Sequence, residues 1–387
     1  MTATTPHMHL TRVLLIRNAF TYDFGGGERF PVQLAAELAR HDFEPIVVSR
    51  SPMLLGFADT KSVAHIKGWW WSKQNWSGKN TILVPLYLLW QIILIGWYLI
   101  LIARLKPAVV HPQSKDDFVA ATIAGKILKK RIIWTDHADL KYIFQKHRLW
   151  YKNPVGKLVY YCSTLADAIT LVSHSEAALI QKELGRPLQS NYTVVHNGVV
   201  DSKPTPHARN TGGKDSLIFC ATSRLVAAKG IGELIDAFTR LQPLYPSCRL
   251  WLVGDGPDRG RFEAQAAGNS SIIFFGHSDD PLSYVATADI FIHPSYHEGF
   301  SISLVEATML GKPVIACAVG GNTEIINPRN GILVAPGNSD ELGDAMRTLV
   351  TSPALMRRLG VGARRTYESG FDFADIVKER FVPLYES

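Results

Sequence analysis

Short apolar runs recur along the chain, each followed by a polar turn and then by a stretch with helical spacing. In the first half the runs are Arg12–Ile16, Glu44–Ser49, Pro107–His111, Arg131–Thr135 and Ala168–Val172. In the second half they are Leu217–Ala221, Leu250–Val253, Ile272–Phe275, Asp289–Ile292, Val314–Ala316 and Gly331–Val334. Helical periodicity between them predicts helices over Phe30–Arg40, Phe118–Leu128, Lys157–Leu165, Glu176–Leu184 and Ile302–Leu310, and a last one over Phe371–Tyr385. Asn338 starts a further helix whose apolar face is Leu342, Ala345, Met346 and Leu349. Continuous apolar strands alternating with helices predict parallel sheets covered on both faces. Asn197-Gly198 is a turn signal, and the polar residues 201–215 suit an exposed linker, so the chain divides near residue 198.

One stretch breaks the alternation. Ile82–Ala103 runs for 22 residues without a charge, long enough to cross a bilayer. Residues 51–81 before it read as irregular and hold Trp69, Trp70, Trp71 and Trp76 near Lys67, Lys73 and Lys79; Arg104 and Lys106 follow it. Three readings stand: a span, an apolar crossover helix packed on the sheet, or a helix lying in the plane of a membrane surface. A span would separate the first strand from the rest of its sheet, and Pro85 and Gly96 interrupt the run. The flanking tryptophans, Arg104 and Lys106 add to the case for a span, but the in-plane helix is favoured, with the basic patch facing anionic headgroups.

At 387 residues two domains are expected, and 47% hydrophobic residues supply two cores. The net charge of +7 is concentrated: Arg104–Lys157 holds 12 Lys/Arg against 4 Asp/Glu, and the remainder 29 against 30. Such a patch suits phosphate or an anionic membrane. No nucleic-acid recognition motif accompanies it, which argues against that partner. Cys162, Cys220, Cys248 and Cys317 are widely spaced in apolar contexts and read as reduced and buried. The N-terminal MTATTPHMHLTR lacks the apolar core of a signal peptide. These features predict a cytoplasmic protein at the inner face of the cell membrane.

The richest chemistry lies between His293 and Gly321. Glu298-Gly299-Phe300-Ser301 forms a loop before a helix, whose first-turn N–H groups and dipole favour an anion. Glu298 and Glu306 flank that turn, and carboxylates accept hydrogen bonds from hydroxyls. A ligand with phosphate in its middle and polyols at both ends satisfies both features, and a nucleotide sugar is such a ligand. Arg224 and Lys229 bracket another strand–helix turn, a fork of donors and a mobile point charge suited to a diphosphate. A departing diphosphate gains charge, so these cations would stabilise the transition state more than the ground state. Gly25-Gly26-Gly27-Glu28 follows the first strand as a second phosphate-approach turn. His111-Pro112-Gln113-Ser114 and Asp136-His137-Ala138-Asp139 stand at strand carboxyl ends, where doubly wound sheets meet ligands. Asp136, His137 and Asp139 come from one loop and do not make a well-formed metal site, so no metal is expected.

The run E-G-F-S-x-x-x-x-E, then A-x-x-x-G-K-P-V-I-A and G-G-N-x-E, resembles the family-4 glycosyltransferases. Ser223–Gly230 is similar to the family's R-L-x-x-x-K-G, Gly26–Glu28 to its G-G-x-E turn, and Thr135–His137 to its T-x-H. The chain departs from the pattern at His196, where Pro is usual, and at Gln113, where His is common. The resemblance implies the GT-B fold, an α/β fold of two Rossmann-like domains facing a cleft. Residues 1–198 would form the acceptor-side domain, 199–370 the nucleotide-sugar domain, and 371–387 a helix crossing back to the first. It implies retaining transfer of a hexosyl group from a nucleoside-diphosphate sugar to a hydroxyl of a glycan or lipid-linked acceptor, with no cofactor or metal. Arg224 and Lys229 would hold the diphosphate, Glu306 the ribose, and Glu298 with Gly299, Phe300 and Ser301 the sugar. Gly276 and His277 would lie near the base, Gly26 and Gly27 near the donor, and Glu28 and His111 on the acceptor side. His137 would meet the sugar from the first domain.

Two other classes fit the same features. A sugar-nucleotide epimerase of this fold would convert the donor without an acceptor. A membrane-associated sugar-nucleotide binder would not turn over at all, although a complete Arg–Lys–Glu–Glu set weighs against it.

Overall fold

The computed structural model describes residues 10–18, 26–69, 84–137, 140, 143, 154–207 and 216–386. It divides into a first unit, Met1–Val195 with Ile376–Ser387, and a second, His196–Asp375.

The first unit is a parallel sheet ordered β3-β2-β1-β4-β5-β6-β7. Its strands are β1 (Thr11–Ile16), β2 (Phe43–Ser49), β3 (His65–Lys67), β4 (Val109–Pro112), β5 (Arg131–Asp136), β6 (Ala168–Leu171) and β7 (Tyr192–Val194). The second unit is a parallel sheet ordered β10-β9-β8-β11-β12-β13. These are β8 (Ile218–Thr222), β9 (Arg249–Val253), β10 (Ile272–Gly276), β11 (Ile290–His293), β12 (Val314–Cys317) and β13 (Gly331–Val334). Val13–Ile16 and Ile290–Ile292 are fully buried, as the unbroken apolar pattern of strands covered on both faces requires. In each sheet the winding starts at a central strand, runs outward, and returns to the other side. The order therefore reverses between β1 and β4, and again between β8 and β11. Loops at the carboxyl ends of such strand pairs are where open α/β sheets bind ligands.

The core of the first unit centres on Trp134, whose ring stacks on Phe118 at 4.3 Å and whose Nε1 donates to Thr122 Oγ1 at 2.9 Å. The second is built on Phe219, Phe238, Leu250, Ile292 and Ile315. All four cysteines are buried and unpaired.

Three segments differ from the sequence expectation. The helix after β1 begins at Gly26, so Gly26, Gly27 and Glu28 form its first turn and Pro31 lies inside it; Glu28 there complements the helix dipole. Residues 51–69 are ordered rather than irregular. Ser51 Oγ accepts from Leu54 N–H to cap the helix Pro52–Thr60, and β3 adds a half-buried edge strand. Trp70, Trp71 and Trp76 lie outside the described residues. The last helix is broken into Phe373–Ile376, a wider turn Val377–Phe381, and Val382–Glu386.

The apolar stretch forms a helix, Val84–Leu105, between β3 and β4. Tyr87, Gln91, Leu94, Tyr98, Leu101 and Ile102 make one buried stripe at helical spacing, and Leu94, Tyr98, Leu101 and Ile102 belong to the core of the first unit. The stripe makes it a crossover helix on the sheet. Only 28% of its most apolar window is buried, however, and Leu86, Leu89, Ile92, Ile93 and Ile100 face outward. Leu94→Ala, at a fully packed position, should cost about 2–5 kcal/mol in urea unfolding. Ile92→Ala, on the open face, should stay within about 0.5 kcal/mol. Equal effects at the two positions would contradict this division of the helix.

Candidate functional site

In the second unit the loops after β8 and β11 are locked to each other by backbone contacts that only glycine permits. Gly230 has φ 66°, and a Cβ there would lie 2.1 Å from Pro294 O. Next to it, Tyr296 N–H donates to Ala228 O at 3.0 Å. The other side of the Arg224–Lys229 loop is held by the turn after β9. Leu225 N–H donates to Asp255 O, Asp258 N–H to Leu225 O, and Ala227 N–H to the Asp258 carboxylate at 2.7 Å. Beyond β12, Gly320 has φ 47°, and a Cβ there would fall 1.8 Å from Glu298 O. Gly321 N–H donates to Gly299 O. The four loops after β8, β9, β11 and β12 thus form one clamped rim.

On that rim Lys229 Nζ donates to Glu298 Oε1 at 2.5 Å, and His293 Nε2 lies 2.9 Å from the same oxygen. The Glu298 side chain is 12% exposed. Burial alone would push its carboxyl upward, but His293 and Lys229 outweigh that and pull it down to about 2. Arg224 is exposed on the loop leading to Lys229. Ser301 Oγ accepts from Leu304 N–H and caps the helix Ile302–Met309, which carries half-buried Glu306. The sequence-predicted set Arg224, Lys229, Glu298, Gly299, Ser301 and Glu306 therefore lies on loops and a helix start at the β8/β11 reversal. His293 was not assigned a role from sequence; a histidine at the end of a strand, five residues before a glutamate, was its only signal.

One predicted donor-site side chain has another task, and a second lies at the surface. Phe300 is buried, its ring stacked on His196 at 5.2 Å and near Phe371, so only its backbone is available to a ligand. His277 is 78% exposed, with its Nε2 3.5 Å from Asp279 Oδ1. Gly276, with φ 75°, ends β10 against Arg259 Nη1.

In the first unit His111 is fully buried. Its Nδ1 meets Tyr385 Oη at 2.6 Å and its Nε2 meets Thr135 Oγ1 at 2.8 Å. Burial lowers its pKa to about 3. With both nitrogens engaged it cannot serve an acceptor, which corrects that expectation: it is an internal brace. His137 is the reverse. Its ring sits 5.0 Å from Phe30 at a steep angle, and both ring nitrogens are shielded from solvent and lack a hydrogen-bond partner. Burial, then the charge of Arg17, hold it well below the usual imidazole range, so it is neutral. Asp136 accepts from Leu140 N–H at 3.1 Å with both carboxylate oxygens, a local cap; Asp139 lies outside the described residues. Glu28 Oε1 lies 3.3 Å from Arg17 Nη2, and Gly27 packs beside the same guanidinium. Asn18 and Gln113, at the ends of β1 and β4, are buried with their amide groups unpartnered.

The Glu298 pairing has a measurable consequence. Its folded pKa of about 2 lies below its ordinary 4.5, so its contribution to stability is present above pH 4.5 and is lost as pH falls toward 2. Between pH 7 and pH 3.5 wild type should lose on the order of 1 kcal/mol more than Glu298→Gln in urea unfolding. Identical pH dependence in the two proteins would mean that the pairing does not hold in solution.

Two family models match, one described as Glycosyltransferase Family 4 over residues 24–203 and one as Glycosyl transferases group 1 over 203–366. The chain is 27% identical to a glycogen synthase of Mycobacterium tuberculosis over 278 residues, 70% of this chain and 63% of that protein's length. It is 28% identical to the O-antigen chain mannosyltransferase C of Escherichia coli, covering 66% of this chain and 68% of that one. Among solved structures, Anabaena HepE in complex with UDP superposes with a TM-score of 0.75 at 18% identity, over 97% of this chain and all of that one. The chain belongs to the family-4 glycosyltransferases, with the GT-B fold.

Proposed function

We propose that the protein transfers a hexosyl group, with retention at the anomeric carbon, from a nucleoside-diphosphate sugar to a hydroxyl of a glycan or lipid-linked acceptor. The observation that carries this reading is the Lys229–Glu298–His293 cluster on the glycine-clamped rim, with Arg224 on the same loop. Arg224 and Lys229 hold the diphosphate and take up the charge it gains as the bond to the sugar breaks. Glu298, kept ionised by its two neighbours, accepts from sugar hydroxyls and faces the positive charge that develops at the anomeric carbon. Glu306 accepts from the ribose. The anomeric carbon–phosphate oxygen bond breaks, the acceptor oxygen bonds the same carbon from the same face, and the acceptor's proton passes to the departing phosphate. No covalent nucleophile and no metal are required, since Arg224 and Lys229 supply the cations. Glu28 serves the acceptor in the first unit. The UDP held by the Anabaena structure and the names of the relatives support a nucleotide-sugar donor without choosing the base here.

The test is a thermal-shift panel of UDP, GDP and ADP and their common sugars in EDTA. One nucleotide series should raise the melting temperature by roughly 3 °C or more at saturation. Arg224→Ala should abolish the rise. No rise with any ligand, or a rise unchanged in the variant, would overturn the reading.

The same reading puts the protein on an anionic membrane, where a lipid-linked acceptor resides. Support comes from the open face of the helix Val84–Leu105, with Ile92 65% and Ile100 70% exposed, and from exposed Arg104, Lys106 and Lys129. Apolar burial and charge attraction act together in such binding. The protein should float with phosphatidylcholine vesicles that contain phosphatidylglycerol, less so at high salt. The double variant Ile92→Glu, Ile100→Glu should bind about tenfold more weakly. Undiminished binding by that variant would remove the helix from the membrane contact.

A further inference from the structure

The second unit gathers four cations away from the glycine-clamped rim. Arg329, Arg357, Arg358 and Arg365 line an open groove of about 800 Å³. All four are exposed, and none of their guanidiniums has an ion pair or hydrogen bond among the described residues. Arg364, on the same helix Pro353–Gly370, is the contrast: it holds Asp201 at 2.6 Å and Glu368 at 2.7 Å. That takes the one carboxylate within a turn of Arg365. Arg357 and Arg358 have no acidic residue three or four positions away. The helix dipole favours cations in the last turn, and none of these lies there. Stabilisation of the helix therefore does not account for the cluster.

The groove is built rather than draped. A Cβ at Gly362 would fall 1.9 Å from Arg329 O, so the loop carrying Arg329 lies directly on the helix that carries the other three. Fully buried Asn330 pins that loop, its Nδ2 donating to Ile325 O at 2.8 Å and to Thr366 Oγ1 at 3.0 Å. Its Oδ1 accepts from Asn327 N–H at 2.8 Å, and Arg329 N–H donates to Asn327 Oδ1 at 3.0 Å. The loop leads into Gly331, at the amino end of the edge strand β13, whereas the clamped rim lies at strand carboxyl ends. The groove is thus separate from Lys229, Glu298 and His293.

Its lining narrows the ligand. No carboxylate, imidazole or thiol is present, and the hydroxyls of Thr366 and Ser369 donate to Gly362 O and Thr366 O, so the groove binds without reacting. No aromatic ring lines it for a base to stack on, which argues against nucleic acid. Its exposed apolar residues, Pro328 and Val361, are too small to anchor in a bilayer. Guanidiniums match phosphate oxygens in charge and geometry. Four of them balance two phosphate groups, each of about −2. A concave site of this volume suits a small molecule. We infer that the groove binds a soluble ligand carrying two phosphate groups, as an effector site independent of the transfer reaction.

The experiment is calorimetric titration of the full chain at about 0.15 M salt, near physiological screening, in an Arg224→Ala background that silences the other phosphate site. The probes are fructose 1,6-bisphosphate, inorganic pyrophosphate, fructose 6-phosphate and inorganic phosphate. At least one of the first two should bind once per chain, about tenfold more tightly than either monophosphate. Adding Arg358→Gln and Arg365→Gln should weaken it tenfold or more, since each removes charge-assisted bonds. Arg329→Gln on the pinned loop should act in the same direction, and all these variants should melt no lower than the background because unpaired like charges have gone. Arg347→Gln, which removes a surface arginine paired with Asp344 outside the groove, should change nothing. Failure of both bisphosphorylated probes to bind would overturn the inference. So would binding that survives the double variant, or that falls as much with Arg347→Gln, which would mean diffuse charge. Phosphatidic acid vesicles that bind through Arg358 and Arg365 while the soluble probes do not would overturn it in favour of a membrane surface.

Discussion

Parallel strand pairing is the constraint on which both units depend. Parallel neighbours cannot be joined by a tight turn, so every connection is a crossover that returns along a face of the sheet. The crossovers cover both faces, which is why Val13–Ile16 in β1, Ile218–Ala221 in β8 and Ile290–Ile292 in β11 are unbroken buried apolar runs. All strand carboxyl ends then point the same way, and the loops that leave them collect on one rim. Where the winding reverses, two adjacent loops diverge to opposite faces and leave a gap between them. The β8/β11 reversal is lined by Lys229, Glu298 and His293, and the β1/β4 reversal by Arg17, Asn18 and Gln113.

At the β8/β11 reversal, close backbone approach precedes electrostatics. Glu298 can be both buried and ionised only because Lys229 and His293 are held within hydrogen-bonding distance of one oxygen. That distance depends on Gly230 lying against Pro294 and on Gly320 lying against Glu298 itself. A side chain at either glycine would push its loop off the rim before any charge could act. The motif glycines are therefore spacers between loops, and the charged residues meet only in their company.

The strands, their alternation with helices and the second unit's charged loops were legible in the sequence because each is a local pattern. Apolar runs announce buried strands, and Arg224, Lys229, Glu298 and Glu306 sit at turn signals beside glycine. What was not legible depends on tertiary neighbours. His111 reads as a strand-end ligand, but Tyr385 lies 274 residues away in sequence and closes its ring nitrogen. Phe300 reads as part of a binding loop, but His196 and Phe371 take its ring. The helix start at Gly26 was hidden because glycines resemble a turn, whereas here they form a first helical turn beside Arg17. The apolar helix was ambiguous for another reason: uniform apolarity carries no phase, so the buried stripe through Leu94, Tyr98 and Ile102 could not be separated from the open face through Ile92 and Ile100.

The two reversal points differ in a way that bears on the chemistry. In the second unit the rim sets cations beside an ionised carboxylate, which suits a ligand that is itself a diphosphate joined to hydroxyls. In the first unit Arg17 pairs with Gln113 O and Glu28 yet keeps an unpartnered Nε, the imidazole of His137 is neutral, and the side-chain amides of Asn18 and Gln113 have no hydrogen-bond partner. Breaking a glycosidic phosphate bond concentrates negative charge on the phosphate and positive charge on the sugar. Fixed cations belong where the phosphate departs, and any further cation near the sugar would oppose the transition state. Desolvation keeps His137 neutral in the first unit, and Lys229 and His293 keep Glu298 ionised in the second.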